Sequence, residues 1–136
     1  MLIVDHNITF EATASINLEA LQASFGVFCR LLPVDELDSA YKRWVGEPAQ
    51  YAKVEPFELV RPEVAPSLTD RQFIDMFLVG FADDVRASDG TPLEFTPDNV
   101  SRMLNIPGAR IAVIDAFLRG YEKAEEKNSE PLPAGS

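Results

Sequence analysis

From Asn7 to Ile16 apolar and polar positions alternate without a break: Ile8, Phe10, Ala12, Ala14 and Ile16 against Asn7, Thr9, Glu11, Thr13 and Ser15. A period of two sets one face of a strand toward a core and the other toward water. Beyond the NLEA segment, Ala23, Phe25, Val27, Cys29 and Leu31 form a second apolar row. Together the rows predict an antiparallel pair. Two strands alone are marginal in water, so helical cover for their apolar face is predicted as well.

The period changes at Pro33. Asp35, Glu36 and Asp38 suit a helix N-terminus, where the backbone dipole favours negative charge. Leu37, Ala40, Tyr41, Trp44 and Val45 then follow at helical spacing, and Gly46 is placed to end the helix. Residues 47–68 carry Pro48, Pro56, Pro62 and Pro66, which forbid a long regular element. The expectation there is a wrapping loop, with VEPFELV as an alternative edge strand. Thr69 and Gln72 then fit a capping box ahead of Phe73, Met76, Phe77, Gly80 and Phe81, a spacing that predicts one helix across the whole segment. Glycine inside a helix costs about 1 kcal/mol against alanine, so Gly80 implies a close packing neighbour.

Asp89-Gly90 is a turn dipeptide, followed by an extended PLEF with Leu93 and Phe95 directed alike. Thr96 reads as a helix cap with Pro97 at the first position, and Val100, Met103 and Leu104 as the buried side. NIPG separates this short helix from a longer one whose apolar positions are Ile111, Ile114, Phe117, Leu118 and Tyr121. After about Lys127 the chain turns polar and gains Pro, Gly and Ser, a fraying composition. The reading is an α+β fold, an N-terminal antiparallel β-hairpin packed on a C-terminal bundle of about four helices. Residues 1–122 form one domain and 123–136 a flexible C-terminal tail.

The bulk numbers fit this picture. The 136 residues are 46% apolar and 25% charged, the balance of a folded domain rather than a disordered chain. No apolar run reaches the ~18 residues of a membrane span, and the MLIVDHNITF start lacks the basic and apolar regions of a signal peptide. A net charge of −10 without a Lys/Arg stripe disfavours nucleic acid as a partner.

Reactive chemistry finds little to stand on. With one cysteine, Cys29, and one histidine, His6, neither a zinc site nor a disulfide can be assembled. The same two residues fall at opposite parity around the hairpin, against a Cys-His pair, and no G-x-S-x-G turn supports a serine triad. Asp83-Asp84 and Glu125-Glu126 read as solvated surface; an EF-hand around Asp89-Gly90 would put Val85, Ala87 and Thr96 at ligand positions, and no phosphate-cradling glycine motif exists. No catalytic, cofactor-binding or metal residue is therefore assigned, and the protein is expected not to be an enzyme. A small hydrolase built on a carboxylate pair is the reading this leaves weakest, because no nucleophile accompanies the carboxylates. Trp44 and the Phe73–Phe81 stripe read first as core. Their alternative is a partner contact through Trp44, Phe73, Phe77 and Phe81.

Three blocks in order carry a resemblance. Arg30 to Asp38 runs Arg-Leu-Leu-Pro-Val-Asp-Glu-Leu-Asp, and its marker residues are Leu32, Pro33 and Leu37. A capped helix then carries Leu78-Val79-Gly80 and the aromatic Phe81. The third block holds Asp89, Gly90, Phe95, Thr96 and Asn99, then Leu104, Pro107 and Gly108 in Leu-x-Ile-Pro-Gly. Across roughly residues 8–122 the pattern resembles the tail assembly chaperones of long-tailed phages and prophages, with Phe81 where the family commonly has Trp. The resemblance implies a non-enzymatic, cofactor-free chaperone made in the host bacterial cytoplasm. It would coat the long, helical, apolar tape-measure protein until tail-tube subunits polymerise around it, and be absent from the mature virion. It also implies a frameshifted longer form and tail-tube subunits as further partners. The wide apolar stripes suit a homo-oligomer and equally a monomer's core. A structural tail or head-tail completion protein is the alternative, against which stands the shortage of long strands.

Overall fold

A computed structural model describes residues 8–48 and 62–129. In chain order the elements are β1 (Thr9–Asn17), β2 (Gln22–Arg30), α1 (Val34–Val45), β3 (Glu47–Pro48), β4 (Pro62–Val64), α2 (Asp70–Phe77), β5 (Leu78–Phe81), α3 (Pro97–Leu104) and α4 (Ala109–Ser129). The fold is α+β, with a three-stranded antiparallel sheet and four helices among the described residues. Two compact units divide the chain: residues up to Leu31 with those from Phe77 onward, and Leu32–Met76.

In the first unit the predicted hairpin forms as the alternation requires. β1 pairs with β2 from Thr9↔Arg30 to Asn17↔Gln22, and Ala12, Ala14 and Ile16 are buried while Glu11, Thr13 and Ser15 are exposed. Ile8, at the start of the row, is exposed, as is Ala23 at the start of the second row. Leu18 and Leu21 exchange backbone hydrogen bonds of 2.8 and 3.2 Å around the two-residue turn Glu19-Ala20.

The predicted helix over Phe73–Phe81 is corrected. α2 ends at Phe77, and Leu78–Phe81 is a third strand, β5, pairing antiparallel with β2 through Val27↔Phe81, Phe28↔Gly80 and Cys29↔Leu78. A short apolar run such as LVGF satisfies either period, and here the unpaired edge of β2 decides for strand. Gly80 consequently sits on the sheet, where an added Cβ would lie 3.4 Å from the Phe28 ring, an ordinary contact. No close neighbour demands glycine there.

α4 packs on the sheet with Ala112, Val113, Ile114, Ala116, Phe117 and Tyr121 buried. Ile111 is exposed, correcting its place on the buried stripe; Val113, one helical step from Phe117, takes that role. The core of this unit is aromatic at one end. Phe77 and Phe117 are both fully buried and stack with ring centroids 3.9 Å apart, and Phe10 and Tyr121 flank Phe117 at 6.0 and 5.9 Å. α4 continues to Ser129, past residue 122 where the tail was expected to start; residues 130–136 lie outside the described residues.

In the second unit, α1 begins after Pro33, whose carbonyl accepts the Leu37 N–H at 2.9 Å, and ends at Gly46, whose N–H donates to the Lys42 carbonyl. The Thr69 capping box is reciprocal: the Gln72 N–H donates to Thr69 Oγ1 at 3.1 Å, and the Thr69 N–H donates to Gln72 Oε1 at 2.9 Å. Trp44 Nε1 donates to Asp70 Oδ1 at 2.7 Å while its ring meets Phe73 edge-on at 5.1 Å. The indole thus combines apolar packing with the polar partner that a half-buried Trp needs. β3 and β4 form a short two-stranded pair, and VEPFELV lies outside the described residues.

Candidate functional site

The expected partner-contact residues divide sharply. Phe73 and Phe77 are fully buried, so they build core and offer no surface. Trp44 is half-buried against Phe73 and Asp70. Phe81 is half-buried and meets the exposed Phe95 edge-on at 5.0 Å. Of the residues that carry the resemblance, Leu32, Pro33 and Leu37 belong to the second unit and the others to the first.

The third block forms one continuous scaffold. Arg86 pairs with Pro92 in an antiparallel bridge, closed by Gly90 at φ 85°, a left-handed conformation that suits glycine. Asp89 Oδ1 accepts from the Thr91 N–H at 3.0 Å and the Thr91 hydroxyl at 2.7 Å, and these bonds hold the Asp89 carboxyl below its ordinary range. PLEF is not a strand beyond Pro92; its chain runs instead to the cap, and Asn99 Nδ2 donates to the Glu94 carbonyl at 2.8 Å. Thr96 Oγ1 accepts the Asn99 N–H at 3.1 Å, the predicted cap, with Pro97 at the first turn. Val100, Met103 and Leu104 are buried as the spacing requires. Pro107 and Gly108 turn the chain into α4, and the Ile106 N–H donates to the Met103 carbonyl at 3.1 Å.

This scaffold forms one wall of a cleft of about 220 Å³ at the turn end of the hairpin. Ile16, Leu21, Phe25, Val85, Met103 and Ile106 line it, with Asp84 and Arg86 beside them. Both charged groups are engaged within the unit. Asp84 Oδ1 accepts the Gly26 N–H at 2.9 Å, and Arg86 Nη1 donates to the Gly90 carbonyl at 2.7 Å. Leu21 and Ile106 are 37% and 42% exposed, and the neighbouring Leu18 is 39% exposed, so the mouth of the cleft is apolar. None of these three was singled out from sequence. Leu18 and Leu21 flanking a two-residue turn were the available signal, since apolar side chains at a hairpin tip have no core of their own to enter.

The reactive groups offer no comparable site. Cys29 is fully buried, and burial pushes its thiol up to about 12, far from nucleophilic at neutral pH. Asp83 and Asp84 are exposed, as expected of surface carboxylates, with Asp84 also accepting the Gly26 N–H. His6 lies outside the described residues. Among the described residues no group of three or more His, Cys, Asp or Glu is placed to hold a metal ion, no buried side-chain N or O lacks a hydrogen-bond partner, and no helix is long and apolar enough to cross a membrane.

No family model, curated protein or solved structure matches the chain.

Proposed function

We propose that this protein is a non-enzymatic assembly chaperone that binds the tape-measure protein while the tail of a long-tailed phage is built, and leaves before the virion is complete. The observation that carries the proposal is the apolar cleft at the hairpin tip. One wall, at Met103 and Ile106, comes from the Asp89–Gly108 block that carries the resemblance to tail assembly chaperones, and the cleft's rim charges are already engaged. At about 220 Å³ it falls below the ~300–1,000 Å³ of small-molecule sites. That size suits single apolar side chains presented at intervals by a helical client.

One cleft grips weakly, but many copies along a long client gain by avidity. A chain charge of −10 keeps such an assembly soluble and off nucleic acid. The proposal places the protein in the host cytoplasm, with tail-tube subunits and a frameshifted longer form as later partners. Co-expression of the tagged chain with the tape-measure protein, followed by capture and sizing, tests it. The expected result is soluble tape-measure protein carrying many copies of the chain. Insoluble tape-measure protein, with the chain eluting alone even when the downstream reading frame is fused on, overturns it. Recovery of the chain from purified virions would favour a structural tail component instead.

A further inference from the structure

The first unit has a second open feature, away from the cleft. β1 is the outer strand of the sheet, and among the described residues nothing pairs with its free edge. The hydrogen bonds fix which residues point there. The Leu31 N–H donates to the Ile8 carbonyl, and Leu18 and Leu21 exchange both bonds, so even-numbered residues of the strand bond to β2. By antiparallel alternation the N–H and C=O groups of Thr9, Glu11, Thr13, Ser15 and Asn17 face outward. The strand is nine residues long with no Pro or Lys and no bulge against β2, so the usual devices that blunt an edge are missing.

A groove of about 380 Å³ runs along this edge. Glu11, Thr13 and Ser15 form one side, and Ala116, Gly120 and two cations of α4, Arg119 and Lys123, form the other. Glu11 is the single carboxylate lining it. Arg119 is bonded to Asp115, but both side chains are more than half exposed, and such a pair yields readily to competition.

We infer that the β1 edge is a strand-addition site for an extended acidic peptide segment, one whose alternate carboxylates face Arg119 and Lys123. Main-chain bonds to Glu11, Thr13 and Ser15 would supply the pairing. Against the long-range repulsion of a chain of net charge −10, the selectivity is local: two cations and one carboxylate line the groove, which favours negative charge at contact over a basic strand. A second copy pairing edge to edge fits worse. α4 lies on β1, with a Cβ at Gly120 only 2.5 Å from the Phe10 ring. Two copies joined through β1 would bring their α4 helices within about one strand spacing, ~4.8 Å, where packed helices need ~8–10 Å.

The test uses the full chain and two labelled peptides, one alternating valine with glutamate and one alternating valine with lysine. Binding is read by fluorescence anisotropy and amide exchange by NMR. The glutamate peptide should bind about tenfold more tightly at ~0.15 M salt, where the long-range repulsion of the acidic chain is largely screened. It should slow exchange at Glu11, Thr13 and Ser15. The double variant Arg119→Glu, Lys123→Glu, which alters two exposed side chains, should reverse the preference. Thr13→Pro, which removes an outward donor without touching the bonds to β2, should weaken both peptides. Equal binding of the two peptides by the wild type, or protection appearing at other amides, contradicts the inference. So does protection of Thr13 and Ser15 in the free chain, whether concentration-independent, which would mean the chain covers its own edge, or rising with concentration, which would mean self-pairing.

Discussion

The two ends of the β1–β2 hairpin are packed by different means. Near its open end Phe10 meets Phe117, which stacks on Phe77 and is flanked by Tyr121; flat rings fill the space between sheet and α4. At the turn end Ile16, Leu21, Met103 and Ile106 face one another with a single ring, Phe25, among them, and these flexible chains of uneven length leave the 220 Å³ cleft. The same sheet therefore closes at one end and stays open at the other. The aromatic end is filled by stacked rings, and the tip holds the cleft to which the proposed function assigns the client's side chain.

Substitutions should separate these roles. The largest effect is expected at the closed end: Phe117→Ala empties a fully buried ring site and should cost about 3–5 kcal/mol in urea unfolding. Next is Gly26→Ala, between the two ends. Its new Cβ would lie 2.9 Å from Glu11 Oε1, the end of an exposed chain that can swing away, but 2.7 Å from the Ala82 Cβ, which moves only with its backbone, and a loss of about 1–3 kcal/mol is expected by the same measurement. Thr96→Ala removes the cap of α3 and should cost about 1 kcal/mol, read as a shift in thermal midpoint.

Much of this comparison was readable in the sequence. The hairpin register follows from strict alternation, because slipping by one residue would put Phe10, Ala12 and Ile16 in water. The caps at Thr69 and Thr96 were equally legible, since each is a local pattern whose bonding partners lie within three residues. The α2–β5 junction was not. Phe73, Phe77 and Phe81 recur at four-residue intervals, which the helical period accepts, while the pairing of Leu78–Phe81 depends on β2, about fifty residues earlier. The cleft was hidden for a related reason: its walls come from segments around residues 16–25, 84–86 and 103–109, which only the tertiary fold brings together.

Asp89 sharpens the account at the scaffold behind the cleft. Accepted bonds from Thr91 lower its pKa from the ordinary 3.8. A depressed carboxyl stabilises the fold above its unfolded value, and that contribution is lost as pH falls through the lowered value. Asp89→Asn should therefore flatten the acid limb of stability: the variant is modestly less stable than the wild type at neutral pH, where the ionised carboxylate contributes, and the two converge as pH falls below ~4 in an unfolding series across pH. The Cys29 thiol should resist a thiol reagent in the folded protein at pH ~8 and react only on unfolding.

The smallest change in stability and the largest change in function are expected together, at the tip. Leu21→Asp with Ile106→Asp alters two partly exposed side chains at the mouth of the cleft. The deciding measurement is capture of the tape-measure protein by this double variant beside the wild type, with thermal midpoints recorded for both. The account predicts a folded variant of nearly unchanged midpoint that no longer carries the tape-measure protein into solution. A variant that folds and captures as well as the wild type would contradict it.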